Sequence, residues 1–490
     1  MIIGQIASRR DLKRLCEVCT CLRDMVTPHL YRSLVLSAPE LSLENLAANL
    51  EAIRPKYWIY TRDISFRIPI HERVESRCVH HSGSGHFADE ASQDEFTDSP
   101  TNDEDADESM ISGCIVNPFV NLSHALNSLN FPDNQLLSFR WEVGTCIPGA
   151  LFCGSDSFLG NQQHIQSITL ITDGECRANE PGQNVVDLVQ FKELRSLDWR
   201  GLNRYDDFES VRKCIRSHGH QIQSLTLDLL NWFRAEEIWA EGFHQQTLQR
   251  TRTPANFFSQ RVLDLHPQDQ NAIFSSLENL HLSAISFYYT STEMAHAFNV
   301  GHLKSLKLRN CPGSLGFLRM VPGSSKPLNL KSLELALDIN SLQRGAYLHI
   351  TETICSLIHR ATSLEDLYLM LPEPIDWAAL TKMLSSRRHL KRLVMHHLVD
   401  RGGQHLIDGN IPCSFHLGRI LQDKQLVCFG SSVLPGDLAC YLQSMHPKPS
   451  CKLVHLRTSG AVLDRLMNSA RPNWASTSLY TYKYGDSKLI

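Results

Sequence analysis

The feature that most constrains this chain is a pattern of apolar residues that returns along most of its length. One aliphatic residue is followed three positions later by a second and two positions after that by a third. It occurs at Ile165/Ile168/Leu170, Leu194/Leu197/Trp199, Ile222/Leu225/Leu227 and Leu277/Leu280/Leu282, then at Leu303/Leu306/Leu308, Leu330/Leu333/Leu335, Leu364/Leu367/Leu369 and Leu390/Leu393/Met395. An aromatic variant, Leu136/Phe139/Trp141, precedes these copies, Cys451/Val454/Leu456 follows them, and Thr61/Ile64/Phe66 is a degenerate early copy. A short apolar run is ambiguous taken singly, so the spacing carries the meaning. Successive middle positions from Phe139 to Val454 are separated by 29, 29, 28, 55, 26, 27, 34, 26 and 61 residues.

In an extended strand alternate side chains face the same way, so the last two apolar residues of each copy point into a core. The chain must then return before starting the next parallel strand. Helical stripes fill several returns: Phe208, Val211 and Ile215; Ile350, Ile354, Leu357 and Ile358; Leu380, Met383 and Leu384. Pattern and period are those of a leucine-rich repeat, in which each unit buries little by itself and stacking builds a continuous core. The expected fold class is therefore α/β, a solenoid with a curved parallel sheet. The 55-residue step is near twice the period, and the 61-residue step leaves room for a weaker strand at Leu426–Phe429, giving about eleven or twelve units. The sharpest copy, Leu303–Cys311, ends in Asn310-Cys311-Pro312-Gly313, a turn leaving the strand with Cys where the repeat takes Asn or Cys. A doubly wound sheet would not impose this spacing, and no phosphate loop or dinucleotide fingerprint accompanies it.

The residue between the last two apolar positions points away from the core. That places Thr169, Asp198, Thr226, His281, Lys307, Glu334, Tyr368 and Val394 in one outward column, flanked by Arg200, Asp228, Arg309 and Arg392. Mixed charge with an aromatic suits a protein or peptide surface. The candidate target-binding residues are Lys307, Arg309, Glu334, Tyr368 and Arg392.

Composition narrows the function classes. The net charge is −4, and removing the ten acidic side chains between Asp89 and Glu108 leaves +6, scattered and too mild for binding a phosphate polymer. No apolar run reaches a membrane-spanning length and the first residues lack a basic, secretory-type start, so an intracellular protein, cytoplasmic or nuclear, is expected. The fifteen cysteines are irregularly spaced and mostly sit in apolar patterns, as buried free thiols do in a reducing compartment. Cys16 and Cys19 form a C-x-x-C, but no second pair follows and both fall on the apolar face of a helix, so they are expected in a core. His80, His81 and His86 near Cys78 match no zinc spacing. Ser82-Gly83-Ser84-Gly85 is not a nucleophile elbow, and His396-His397 belongs to no metalloprotease motif. No cofactor, catalytic residue or metal ligand is assigned, and the chain is expected to bind rather than to catalyse.

At the N-terminus Leu12, Leu15, Cys16, Cys19 and Leu22 recur at helical spacing, Pro28 closes the helix, and Leu34-Val35-Leu36 reads as a strand. Arg9–Leu36 resembles the second half of an F-box as it occurs in fungal F-box/leucine-rich-repeat proteins: a D-L-x-x-L-C-x-V helix, then T-P-x-L-Y-R-S-L. Phrases further along, Asn256-Phe257-Phe258-Ser259-Gln260, His296-Ala297-Phe298-Asn299, Leu308–Gly313 and Cys451-Lys452-Leu453, are similar to the same group. The family's Leu-Pro opening is not found, and Met1-Ile2-Ile3 would fall inside its first helix. The resemblance implies docking on the Skp-type adaptor of a cullin–RING ubiquitin ligase through Leu12, Leu15, Cys16, Val18, Cys19, Leu22, Pro28, Leu30 and Tyr31. It also implies that the repeats hold an unknown target protein, with no nucleic acid or membrane partner.

The expected organisation is an F-box-like segment over 1–36, a connecting strand and first degenerate repeat over 37–71, an acidic insertion over 72–118, the repeats over 119–470 and a tail over 471–490. The insertion is rich in Ser, Thr, Asp and Glu, as solvated loops are, and Ser92, Ser99 and Thr101 stand in kinase-type contexts. The function expected is target recognition for a ubiquitin ligase; the alternative is a scaffold that binds proteins without the ligase.

Overall fold

A computed structural model describes residues 8–37, 43–68, 118–129, 131–152, 157–173, 186–202, 205–229, 256–288, 290–320, 327–337, 349–372, 375–401, 404–407, 421, 426–431, 453–458 and 478–482. The chain divides into two compact bodies, Met1–Glu193 and Leu194–Ile490. The acidic stretch, Cys78 with its neighbouring histidines, and Cys451 lie outside the described residues.

The first body begins with two helices, α1 (Arg9–Val18) and α2 (Thr20–Leu30), which pack on each other. One helix through Cys19 was expected, but the chain turns extended there, and the Cys19 thiol caps α2 by accepting the Leu22 N–H at 3.4 Å. Ser8 caps α1 in the same way through the Asp11 N–H, at 3.3 Å. Cys19 is accordingly exposed and Cys16 half-buried, so neither is a core thiol. Pro28 sits inside α2, which runs on to Leu30. There it removes the i→i−4 hydrogen bond to the Asp24 carbonyl, close to where the helix ends.

Four parallel strands follow in chain order: β1 (Ser33–Ser37), β2 (Asp63–Arg67), β3 (Ser138–Glu142) and β4 (Ser167–Ile171). The register aligns the repeat: Leu34, Ile64, Phe139 and Ile168 in one row, Leu36, Phe66, Trp141 and Leu170 in the next. The degenerate copy at Thr61 is thus a full strand, and 69–117 lies between two strands that pair directly. Helices α3 (Leu43–Glu51) and α4 (Pro118–Asn127) pack together on the returns. Phe139, Phe152 and Phe191 pack edge to face behind the sheet at 6.1 and 6.2 Å. Buried Gln162 accepts from the backbone of Gln135 and Leu136 at 2.8 and 2.9 Å and donates to the Pro132 carbonyl, satisfying a turn that no strand ladder reaches.

In the second body β5 (Ser196–Arg200), β6 (Ser224–Asp228), β7 (Asn279–Ser283), β8 (Ser305–Arg309), β9 (Ser332–Ala336), β10 (Asp366–Pro372) and β11 (Arg392–Arg401) pair in parallel, again in chain order. The weaker strand expected near Leu426 is β13 (Cys428–Ser431), which joins β11 to β14 (Leu453–Thr458). Two strands run antiparallel: β12 (Gln404–Ile407) on β11, and β15 (Ser478–Tyr482) on β14. Leu197, Leu225, Leu280, Leu306, Leu333, Leu367, Leu393 and Phe429 form one continuous row, each at most 2% exposed.

Among the described residues, the 55-residue step holds no further strand of this sheet. β6 pairs directly with β7, Leu225 beside Leu280, so no repeat strand stands between these two in the sheet. The period alone cannot distinguish a skipped copy from an enlarged return.

The returns carry α5 (Tyr205–His218), a π-helical turn at Phe258–Val262, α6 (Ser291–Ala297), α7 (Ser314–Met320), α8 (Ile350–Arg360) and α9 (Trp377–Ser385). Their apolar stripes are buried as the spacing predicts: Phe208, Val211 and Ile215 on α5, and Ile350, Ile354, Leu357 and Ile358 on α8. Both helices have acidic residues in the first turn and basic residues in the last, matching the helix dipole. Among the described residues no helix is long and apolar enough to cross a membrane.

Candidate functional site

The side of the second body's sheet that faces away from the returns is built from three rows. The middle row reads Asp198, Thr226, His281, Lys307, Glu334, Tyr368, Val394 and Gly430, so the outward column expected from the repeat aligns across adjacent strands. Before it run Ser196, Ser224, Asn279, Ser305, Ser332, Asp366 and Arg392, and after it Arg200, Asp228, Ser283, Arg309, Ala336, Met370 and His396. Thr169 holds the equivalent place in the first body, beside Arg140.

The polar groups of this face bind one another. Arg200 grips Asp198 through two nitrogens, at 3.0 and 2.9 Å, and Arg392 grips Asp366 in the same forked way across neighbouring strands. The imidazole of His281 bridges Thr226 Oγ1 at 3.3 Å and Ser305 Oγ at 3.1 Å. Burial, reinforced by the positive charges of Lys307, Arg309 and Arg200, pushes its pKa down to about 4, so it is neutral at pH 7. Burial also raises the carboxyl of Asp228, against the opposing pull of Arg309, a Ser283 hydrogen bond and Arg200.

Glu334 serves two cations. Its Oε1 accepts from Arg309 Nε at 2.6 Å, and its Oε2 lies 3.7 Å from Lys307 Nζ. The glutamate is 14% exposed, the lysine 33% and the arginine 44%. One strand further on the chemistry changes. Tyr368 packs edge-on against buried His396, ring centres 5.7 Å apart, with half-buried Met370 and Val394 beside them.

Of the expected target-binding residues, Lys307, Arg309, Glu334 and Tyr368 are thus brought together on three adjacent strands, and Arg392 lies across β10 from that cluster in the leading row. Asp366, Ala336, Met370 and His396 were missed. Each stands two residues before or after a middle-row position, so applying the strand's two-residue period once more in each direction would have found them.

The N-terminal residues divide differently. Leu12 and Val26 are buried, Leu15, Cys16, Leu22, Pro28, Leu30 and Tyr31 are half-buried, and Val18 and Cys19 are exposed. Val18 is 69% exposed and Met25 47%, so each helix of the pair turns a large apolar side chain to solvent, as does Ile59, 52% exposed, in the short helical turn Pro55–Tyr60. Met25 was not anticipated, because a side chain off the apolar stripe carries no periodic signal. Tyr31 stacks on Tyr57 with ring centres 4.0 Å apart, and its carbonyl accepts from Thr61 Oγ1 at 3.1 Å. It therefore joins the helices to the first strands of the sheet.

Among the described residues no group of three or more His, Cys, Asp or Glu side chains is placed to hold a metal ion. No protein-family model matches this chain, and none of the curated proteins compared with it does.

Proposed function

We propose that this chain is the target-recognition subunit of a cullin–RING ubiquitin ligase, an F-box-type helical module followed by leucine-rich repeats. The observation that carries the reading is the division of labour within the helical pair. Leu12 and Val26 are buried in the packed helical pair, while Val18 and Met25 turn large apolar side chains to solvent. Exposed apolar side chains on a small helical module are what docking on an adaptor requires. The outward face of the second body supplies the other half of the role, with cations, a shared carboxylate and an aromatic cluster in register. Such a subunit acts by proximity, holding a target near the ligase, and needs no reacting group of its own.

The test is retention of a purified Skp-type adaptor by the full chain, wild type and Val18→Asp. Wild type is expected to retain the adaptor, and Val18→Asp to lose it with an unchanged circular dichroism spectrum and melting temperature. If the wild-type chain retains no adaptor, the ligase reading falls and the scaffold reading stands in its place.

A further inference from the structure

On the outward face of the second body, two neighbouring cations on β8 leave hydrogen-bond donors unused among the described residues. Arg200 and Arg392 each commit two nitrogens to a carboxylate. Arg309 commits only Nε, so its two terminal nitrogens make no hydrogen bond among the described residues. Lys307 makes none there either, only the loose 3.7 Å approach to the carboxylate it shares with Arg309. Asp228 is hydrogen-bonded to Ser283 and acts on Arg309 through its charge without coming within ion-pair distance. Two cations on β8 thus share one glutamate, and both side chains are part-exposed.

The register sets what lies beside them. In the middle row Lys307 is followed by Glu334 and then Tyr368; in the trailing row Arg309 is followed by Ala336 and then Met370. Both rows therefore run from a cation on β8 to a large apolar side chain on β10. Between Arg309 and Met370 in this row stands only the small, buried side chain of Ala336. Two strand spacings amount to about 9.6 Å, which an extended peptide covers in about three residues.

We infer that this part of the face binds an extended segment of the target in which an Asp or Glu precedes an apolar residue by three positions. The carboxylate takes the spare donors of Lys307 and Arg309, and the apolar side chain lies on Tyr368 and Met370. A carboxylate suits the site better than a phosphate monoester, because Glu334 already neutralises one of the two cations. His281 adds no positive charge at neutral pH and keeps to its hydrogen bonds with Thr226 and Ser305. This inference rests on the proposed role in target recognition.

The test measures binding of fluorescein-labelled peptide pools to the purified full chain by fluorescence anisotropy. Each pool fixes two positions and randomises the rest: Glu-x-x-Leu, Gln-x-x-Leu, Glu-x-x-Ser and phosphoserine-x-x-Leu. The Glu-x-x-Leu pool is expected to bind about tenfold more tightly than the Gln or Ser pool, and to lose that advantage with Arg309→Gln or Lys307→Gln. Glu334→Gln is expected to tighten binding by about threefold, since it removes the competing carboxylate; a residue that only braced the fold would weaken it. Equal binding of the Glu and Gln pools, preference for phosphoserine, or weakening by Glu334→Gln each overturns the inference. The measurement involves no adaptor. Peptide binding without adaptor retention defeats only the ligase reading, and adaptor retention without the peptide preference defeats only this one.

Discussion

The thiol of Cys311 donates to the carbonyl oxygen of Leu282, 3.4 Å away on the neighbouring strand. The side chain is fully buried, and burial pushes its pKa up to about 12. It sits in the turn after β8, where Asn310 takes a left-handed conformation with φ 45°, and it ties that turn to the preceding repeat. Cys311→Ala is expected to cost about 2 kcal/mol, from the lost hydrogen bond and the small void left behind. Urea denaturation of both proteins checks the value. At pH 8 in native buffer, mass spectrometry should find iodoacetamide on the exposed Cys19 but not on Cys311.

Gly313 follows in the same turn with φ +74°, and a Cβ there would stand 2.9 Å from the Tyr288 backbone nitrogen. The obstacle is backbone and cannot swing aside, and the conformation itself disfavours L side chains. Gly313→Ala is expected to destabilise the second body by about 2 kcal/mol or more. By contrast, Gly301 has nothing within 4 Å of such a Cβ and a φ that L residues adopt, so Gly301→Ala should shift the melting temperature far less. Thermal melts of the two variants side by side make the comparison.

His281 predicts a pH dependence of stability. Its folded pKa is about 4, below the ordinary value of 6.5, so between those values the unfolded chain binds the proton and the folded chain does not. Stability therefore rises with pH across that window. The contribution is complete above pH 6.5 and is lost as pH falls toward 4, with an upper bound of about 3 kcal/mol. Glutamine can keep hydrogen bonds to Thr226 and Ser305 without titrating. His281→Gln should flatten the difference in urea stability between pH 4.5 and 7.5 relative to wild type; equal slopes would show that the imidazole is not held neutral.

The Tyr31–Tyr57 stack, with interplanar angle 11°, lies where α2 ends and the sheet begins. Aromatic pairs contribute about 1 kcal/mol beyond burial. Tyr57→Ala is expected to raise hydrogen exchange across Thr20–Leu30 severalfold while leaving β8 and β9 unchanged. Uniformly faster exchange would mean that the stack supports the whole chain rather than this joint.

Much of the architecture was legible in the residues. The row from Leu197 to Phe429 and the outward row from Asp198 to Val394 both follow from the strand's two-residue period repeated at a near-constant interval. The repeat copy at Thr61 and the weak strand near Leu426 were found by the same rule, because burying alternate side chains is a local requirement that each copy states for itself. The candidate face was legible as a column, with Lys307, Arg309, Glu334 and Tyr368 among its members. Cys19 was misread because a helical stripe can be continued on paper through a break. The thiol's capping bond to Leu22 depends on backbone angles that periodicity does not encode.

By itself, the sequence determined that parallel strands would recur, which side chains each would bury, and which would look outward. Tertiary structure alone decided that β6 pairs directly with β7 across a 55-residue step, that Glu334 divides itself between Lys307 and Arg309, and that His281 loses its charge. The physical reason is one of range. Hydrophobic periodicity is summed over neighbouring residues and survives in the sequence. Pairing of charges some 25 residues apart, and the desolvation of a side chain wedged between two strands, exist only once register and rotamers have been set by the packed sheet.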